Sequence, residues 1–397
     1  MPRFEPFRAV RYASTTEPLD LLVAPPYDVL SAEDVSTLAA RSAHNIVHVD
    51  VPTGGPDRYV RAGVLFRQWI DHGVLARDDE PSFTAYRMQF TDATGTDRDL
   101  VGVVGALEVV DEGAGGVLPH ERTTPKASSD RLDLTRATQA NLSPVWGLSL
   151  AAGLSALLAE PGELVGEVTV DGVVHRVERI SDGSRVRAIS DRVSGDDVLI
   201  ADGHHRYGVA RIYRDEVRDA ASRTDIDADA AELTLAFVGE LVADQLSVEA
   251  IHRLYSGLTF DAVAERLERA FHLSPIDPPT PATLAAMQAD GFLVLVGRGT
   301  AQRLTPKPGA FDAVRALDGA WLEHVLDGTA VEVTYQHGLD EVLAAVGDGE
   351  AAAAVLIRPV SVGEIQRTAR DGLLMPPKST FFTPKLRTGF VIRQLTE

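Results

Sequence analysis

The chain has no cysteine, which excludes disulfides, thiol catalysis and Cys-ligated zinc or iron–sulfur clusters. It has no apolar run approaching the roughly 18 residues of a membrane span, and its opening MPRFEPFRAV lacks an apolar core of signal-peptide length. A cytoplasmic protein without a membrane partner is therefore expected. Basic residues are in the minority: 38 Lys and Arg against 58 Asp and Glu leave a net charge of −20. Nucleic acid and anionic membranes are held by a basic face, so this balance speaks against both as partners. The pattern GxxxxGK[ST] is absent, so any nucleotide would be held differently from a P-loop enzyme. There is no GxGxxG opening a helix, no internal repeat and no helix-turn-helix signature. What remains is a globular chain of 397 residues, 45% apolar, long enough for roughly two or three domains.

The most informative stretch is VLIADGHHRYGVAR, residues 198–211. A short apolar run bounded by glycine predicts a buried strand, and Val209, Ile212, Tyr213, Val217 and Ala220 then recur at helical spacing. Asp202, Gly203, His204, His205 and Arg206 thus fall on a strand-to-helix turn. Such a turn offers backbone N–H groups and the positive end of a helix, and Gly203 lets an anion approach the backbone. Arg206 is suited to bind a phosphate bidentately, with His204 and His205 as further donors. Three readings stand together here. The first is a phosphate site. The second is a structural cluster in which one histidine is buried, one is exposed and Arg206 pairs with Asp202. The third is a metal site, which adjacent histidines rarely form.

Other polar clusters punctuate the chain. Pro25 and Pro26 stiffen a loop that presents Tyr27 and Asp28, after which Ser31, Glu33 and Asp34 signal a helix start. Asp28 reads as a cap, a base or a magnesium ligand. Val60, Val64, Leu65, Phe66, Trp69 and Ile70 mark a helix ending at Gly73, and hairpins are expected over 82–110 and around Asp171-Gly172. The run LPHERTTPKASSDR carries His120, Glu121, Lys126, Asp130 and Arg131 and reads either as a solvated turn or as acid–base and anion-binding groups. Leu233 to Val242 is a buried strand or helix segment. Pro275, Pro278, Pro279 and Pro281 suggest a linker between a region 1–274 and a C-terminal region 282–397 in which strands and helices alternate. Near the end, Lys378, Ser379 and Thr380 follow two prolines as a compact donor set, while Lys385 reads as a surface charge. The fold class expected is α/β with mixed sheets.

Taken together, APPYDVLS, HERTTPK with its following DR, ANLSPV, IADGHHRYGVA, IHRL, VTYQH and MPPKSTFFTPKL resemble, in this order, the bacterial and archaeal family known as domain of unknown function 1015. The Asp-Gly-His-His-Arg turn is also similar to the phosphate-binding turn of the ParB and sulfiredoxin superfamily. That resemblance implies a ParB/sulfiredoxin-like core with an additional α/β region, and a small-molecule kinase making O-phosphoserine from free L-serine. The implied donor is a phosphoanhydride such as ATP, ADP or pyrophosphate. In this reading Glu121 or Asp28 accepts the hydroxyl proton, with His120 beside them. Gly203, His204, His205, Arg206 and Lys126 hold the transferred phosphate, and Lys378, Ser379 and Thr380 hold donor phosphates, with Mg²⁺ bridging to Asp202 or a neighbouring acid. The rival expectation is a non-catalytic protein that binds a phosphometabolite or nucleotide and reports on it.

Overall fold

The structure is a computed structural model and describes residues 1–14, 17–93, 95–119, 128–224, 229–376 and 378–396. The chain forms two compact units, one of Met1–Thr91, Asp97–Leu246 and Pro384–Glu397, the other of Asp92–Thr96 and Ser247–Thr383. Both are α/β, and the sheet of the first is mixed.

Among the described residues, the main sheet of the first unit has the strand order Val117–Pro119, Val198–Asp202, Val145–Ser149, Leu233–Glu240, Asp97–Glu108, Phe83–Thr91, Val173–Ile180, Glu163–Val170, and Phe4–Glu5 also pairs with Asp97–Glu108. Val198–Asp202 runs parallel to Val117–Pro119, and Leu233–Glu240 parallel to Val145–Ser149; the other neighbours are antiparallel. Leu233–Glu240 is a strand rather than a helix, and all of it is buried. Both expected hairpins form. The second closes through Asp171 at φ 54° and Gly172 at φ 75°, the left-handed pair that a two-residue turn between twisted strands requires. The sheet centre is close-packed because Gly102 lacks a side chain: a Cβ there would lie 2.3 Å from Cζ of Phe237.

A second core of the same unit lies under three helices, Ala32–Arg41, Val47–Asp50 and Arg58–Asp71. The first is opened by a capping box: the Asp34 N–H donates to Ser31 Oγ at 3.1 Å and the Ser31 N–H donates to Asp34 Oδ2 at 2.9 Å. Arg58–Asp71 buries Ala62, Gly63, Phe66 and Trp69, whereas Val60 and Val64 are exposed, so its inward stripe is narrower than the apolar periodicity implies.

His175, on the Val173–Ile180 strand, is buried, and its Nδ1 lies 3.0 Å from the Tyr86 hydroxyl. Burial, with help from Arg387, pushes its pKa down to about 3. The unfolded chain therefore takes up a proton near the ordinary histidine value, while the native chain does not until far lower pH. This contribution to stability is present above the unfolded pKa and is lost as pH falls from about 6.5 towards about 3. Urea unfolding at pH 6.5 and pH 5 is expected to show a loss that shrinks in His175→Asn, which keeps a hydrogen-bond acceptor but does not titrate. An unchanged pH slope in that variant would rule out this role for His175.

The second unit is built on an antiparallel sheet in the order Phe271–Ile276, Thr300–Pro306, Leu293–Gly297, Ala353–Leu356, His252–Ser256, Glu332–Gln336. Alternation along its strands feeds two cores. Leu293, Leu295, Ala353 and Val355 join the helices Phe260–Leu267 and Asp318–Leu326, while Val294, Val296, Ala354 and Leu356 join Pro281–Asp290 and Leu339–Gly347.

The proline cluster expected to link two regions lies inside this unit. Pro275 sits in the edge strand Phe271–Ile276, where a missing N–H is tolerated, and Pro281 is the first residue of the helix Pro281–Asp290. The units divide instead at Leu246/Ser247, and the chain returns to the first unit at Pro384. No helix among the described residues is long and apolar enough to cross a membrane.

Candidate functional site

The Val198–Asp202 strand is buried from Val198 through Ala201 and ends where Gly203 turns the chain at φ 85°. Helix His204–Thr224 follows at once, its ladder starting with Tyr207 N–H donating to Gly203 O at 2.9 Å. The N–H groups of its first turn therefore lie outside that ladder. Glycine is needed at 203 for a second reason: a Cβ there would lie 3.0 Å from both Cζ and Nε of Arg206, whose guanidinium packs over the turn.

Arg206 ties three segments together. Its Nη2 lies 2.9 Å from Asp202 Oδ2 and 3.7 Å from Asp28 Oδ2, and its Nη1 donates to the carbonyl of Pro144. Asp28 stands on the short 3₁₀ turn Tyr27–Val29, directly after the rigid proline pair, and makes no cap there. Lys385 Nζ approaches the other oxygen of Asp202 at 3.5 Å. Close by, Arg131 of helix Ser128–Thr138 stacks 4.1 Å from the centre of the Tyr27 ring, and its Nη1 lies 3.0 Å from Oδ1 of the buried Asp50. Three carboxylates and three cations thus converge, all within the first unit.

The protonation states follow from this layout. Burial alone would raise Asp202, but Lys385, Arg206 and His204 outweigh it and hold the carboxyl well below its usual range. Burial would lower Arg206, yet Asp202, Asp28, Tyr27 and Asp50 raise it. Asp50 goes the other way: burial raises it, and Arg131 and Arg206 offset that only in part.

Of the sequence-predicted residues, Asp28, Asp202, Gly203, His204 and Arg206 come together here. His205 lies on the same helical turn, in the middle range of burial. His120, Glu121 and Lys126 lie outside the described residues. Lys378, Ser379 and Thr380 belong to the second unit, where Lys378 is exposed with φ 55°, its carbonyl accepts from Arg253 Nη1 at 3.1 Å, and the buried Ser379 hydroxyl donates to Pro376 O at 2.7 Å. Asp202, expected as a magnesium ligand, has both oxygens facing cations. Among the described residues no group of three His, Asp or Glu gathers to hold a metal. The described residues therefore do not fit a magnesium site on Asp202, and no step below runs through one.

Sequence reasoning passed over Asp50 and took Lys385 for a surface charge. Asp50 closes the apolar run IVHVD just before Val51-Pro52, an acid at the end of a hydrophobic run much as Asp202 is, and that was the available signal. A larger cavity of about 490 Å³ is lined by Val47, Val51, Val64 and Leu65 among others. Its arginines are engaged locally, Arg58 with the Tyr59 hydroxyl at 2.8 Å and Arg61 with Thr53 O at 3.1 Å, so the charged cluster is the better candidate.

The family model described as "Protein of unknown function (DUF1015)" matches residues 4–320, and the chain belongs to that family. No curated protein matches it. Among solved structures it is similar to a conserved hypothetical protein from Pyrococcus furiosus, at 12% identity and TM-score 0.38, over 70% of this chain and 92% of that one. A free serine kinase in complex with AMP matches at 13% identity and TM-score 0.37, over 69% and 89%. SbnI with a C-terminal truncation, from Staphylococcus aureus, matches at 11% identity and TM-score 0.41, over 74% and 89%.

Proposed function

We propose that this chain is a small-molecule kinase of the cytoplasm that moves a phosphoryl group from a phosphoanhydride, ATP, ADP or pyrophosphate, to the hydroxyl of free L-serine, giving O-phosphoserine. The observation that carries the reading is Arg206, a buried guanidinium fixed over a glycine turn at a helix start and clamped by Asp202 and the Pro144 carbonyl. Transition-state charge in phosphoryl transfer is spread over the equatorial phosphate oxygens. A preset cation and preset backbone donors stabilise it without reorganising at the moment of reaction.

Asp28 is the half-exposed member of the cluster, and at 3.7 Å its contact with Arg206 is the longest, so an incoming phosphate displaces this contact first. Lys385 and Arg206 keep Asp202 ionised, which holds the clamp rigid at working pH. Gly203, His204 and His205 supply the rest of the phosphate cradle. Glu121 with His120 and Lys126 complete the proposal as further acid–base and phosphate-binding groups.

The test is incubation of purified protein with serine and each of ATP, ADP and pyrophosphate, with magnesium and with chelator. O-phosphoserine is expected with at least one donor. Because Asp202 is paired with cations, substituting it is expected to leave the magnesium concentration for half-maximal rate unchanged even where the rate falls. A shift in that concentration would restore Asp202 as a metal ligand.

A further inference from the structure

Two buried polar atoms of opposite kind are left over in one place. Asp50 is 2% exposed; its Oδ1 and its carbonyl take Arg131 at 3.0 and 2.7 Å, and its Oδ2 has no hydrogen-bond partner. Arg206, with a side chain 10% exposed, uses Nη1 on Pro144 and Nη2 on Asp202, and its Nε is likewise buried without a partner. Both residues line a cavity of about 50 Å³ with Arg131, Asn141, Ser143 and Thr234. An orphaned buried donor or acceptor is costly, so two orphaned groups on residues that line one cavity call for an occupant.

The chemistry of the pair selects that occupant. A fully ionised phosphoryl group only accepts and would set its charge against Asp50, whereas an ammonium only donates and would leave the arginine Nε unmet. A hydroxyl donates to the carboxylate and accepts from the guanidinium, and the cavity has room for a group of that size.

We infer that this cavity seats the acceptor hydroxyl and that Asp50 is the base that takes its proton. The inference rests on the phosphotransferase reading. In the step, the O–H proton passes to Asp50 Oδ2 and the alcohol oxygen bonds to the terminal phosphorus of the phosphoanhydride. The bond from that phosphorus to the bridging oxygen breaks, and its electron pair leaves on the released phosphate or nucleotide. Burial raises the Asp50 pKa towards working pH, Arg131 and Arg206 restrain it, and Asp28 adds to the rise, a balance suited to a base.

Asp50→Asn and Asp50→Glu in the full chain test this. The asparagine variant is expected to lose about a hundredfold to ten-thousandfold in kcat, while ADP affinity measured by calorimetry stays within about twofold. The wild-type rate is expected to fall on the acid side with an apparent pKa above the ordinary aspartate value. Asp50→Glu is expected to recover part of kcat and to shift that acid limb. Transfer by the wild type together with an unchanged kcat in Asp50→Asn, even if its melting temperature drops, means a structural water fills the cavity and overturns the assignment alone. If the asparagine variant does not fold, an acid limb unmoved in Asp50→Glu overturns it equally. Absence of transfer by the wild type from every donor overturns the kinase reading, and this one with it.

Discussion

Arg206→Ala is expected to lower kcat/KM for phosphoryl transfer by about two to three orders of magnitude and to weaken donor binding in the same variant. The guanidinium is where transition-state charge would be met, and it is also the bolt between the strand end, the Asp28 turn and the Pro144 carbonyl. Its removal leaves Asp202 with Lys385 and Asp50 with Arg131, so each retains one cation; Asp28 has no other ion pair among the described residues. No buried carboxylate is left without a cation, so the cost is that of the guanidinium's lost hydrogen bonds and packing, and the melting temperature should drop accordingly. Arg206→Lys restores only part of the rate, because an ammonium cannot reach Asp202 and Pro144 as a planar fork does. Kinetics and thermal unfolding of both variants check this. Wild-type turnover in Arg206→Ala would place the chemistry elsewhere in the molecule.

Gly203→Ala should move function in the same direction with no change of charge. At φ 85° a non-glycine residue is strained by roughly 1–3 kcal/mol, and its Cβ would press on Arg206 Cζ and Nε from 3.0 Å. The flexible guanidinium gives way before the backbone does, so the clamp on Asp202 loosens. Turnover is expected to fall at least tenfold while circular dichroism stays native, with Gly208→Ala as the control, since nothing lies within 4 Å of a Cβ there. Equal turnover in the two alanine variants would show that the pose of Arg206 over the turn does not matter.

The parts of the fold that were legible in the sequence are those whose determinants are local. A strand bounded by Gly203, a two-residue turn at Asp171-Gly172 and a helix start at Ser31 each rest on a few neighbouring residues, and each stands in the structure as expected. The charged cluster was half legible. Asp202 and Arg206 lie four residues apart across the turn, but Asp50 and Arg131 are 81 residues apart, and only packing brings them together.

Lys385 was opaque for a related reason. The terminal segment crosses back to the first unit, where Ile392 bridges Val10 and Thr388 bridges Ala24, and no periodicity announces such a return. The proline cluster misleads because prolines suit an edge strand and a helix start as well as they suit a linker.

The most direct measurement is ³¹P NMR of the full chain with free serine, magnesium and each phosphoanhydride in turn. The account predicts a phosphomonoester signal of O-phosphoserine that grows with loss of one donor's terminal phosphate signal, requires serine, and fails to appear with Arg206→Ala on the same timescale. Donor signals that broaden on binding, while no phosphomonoester forms from any donor, would contradict it and make the protein a binder of phosphorylated small molecules.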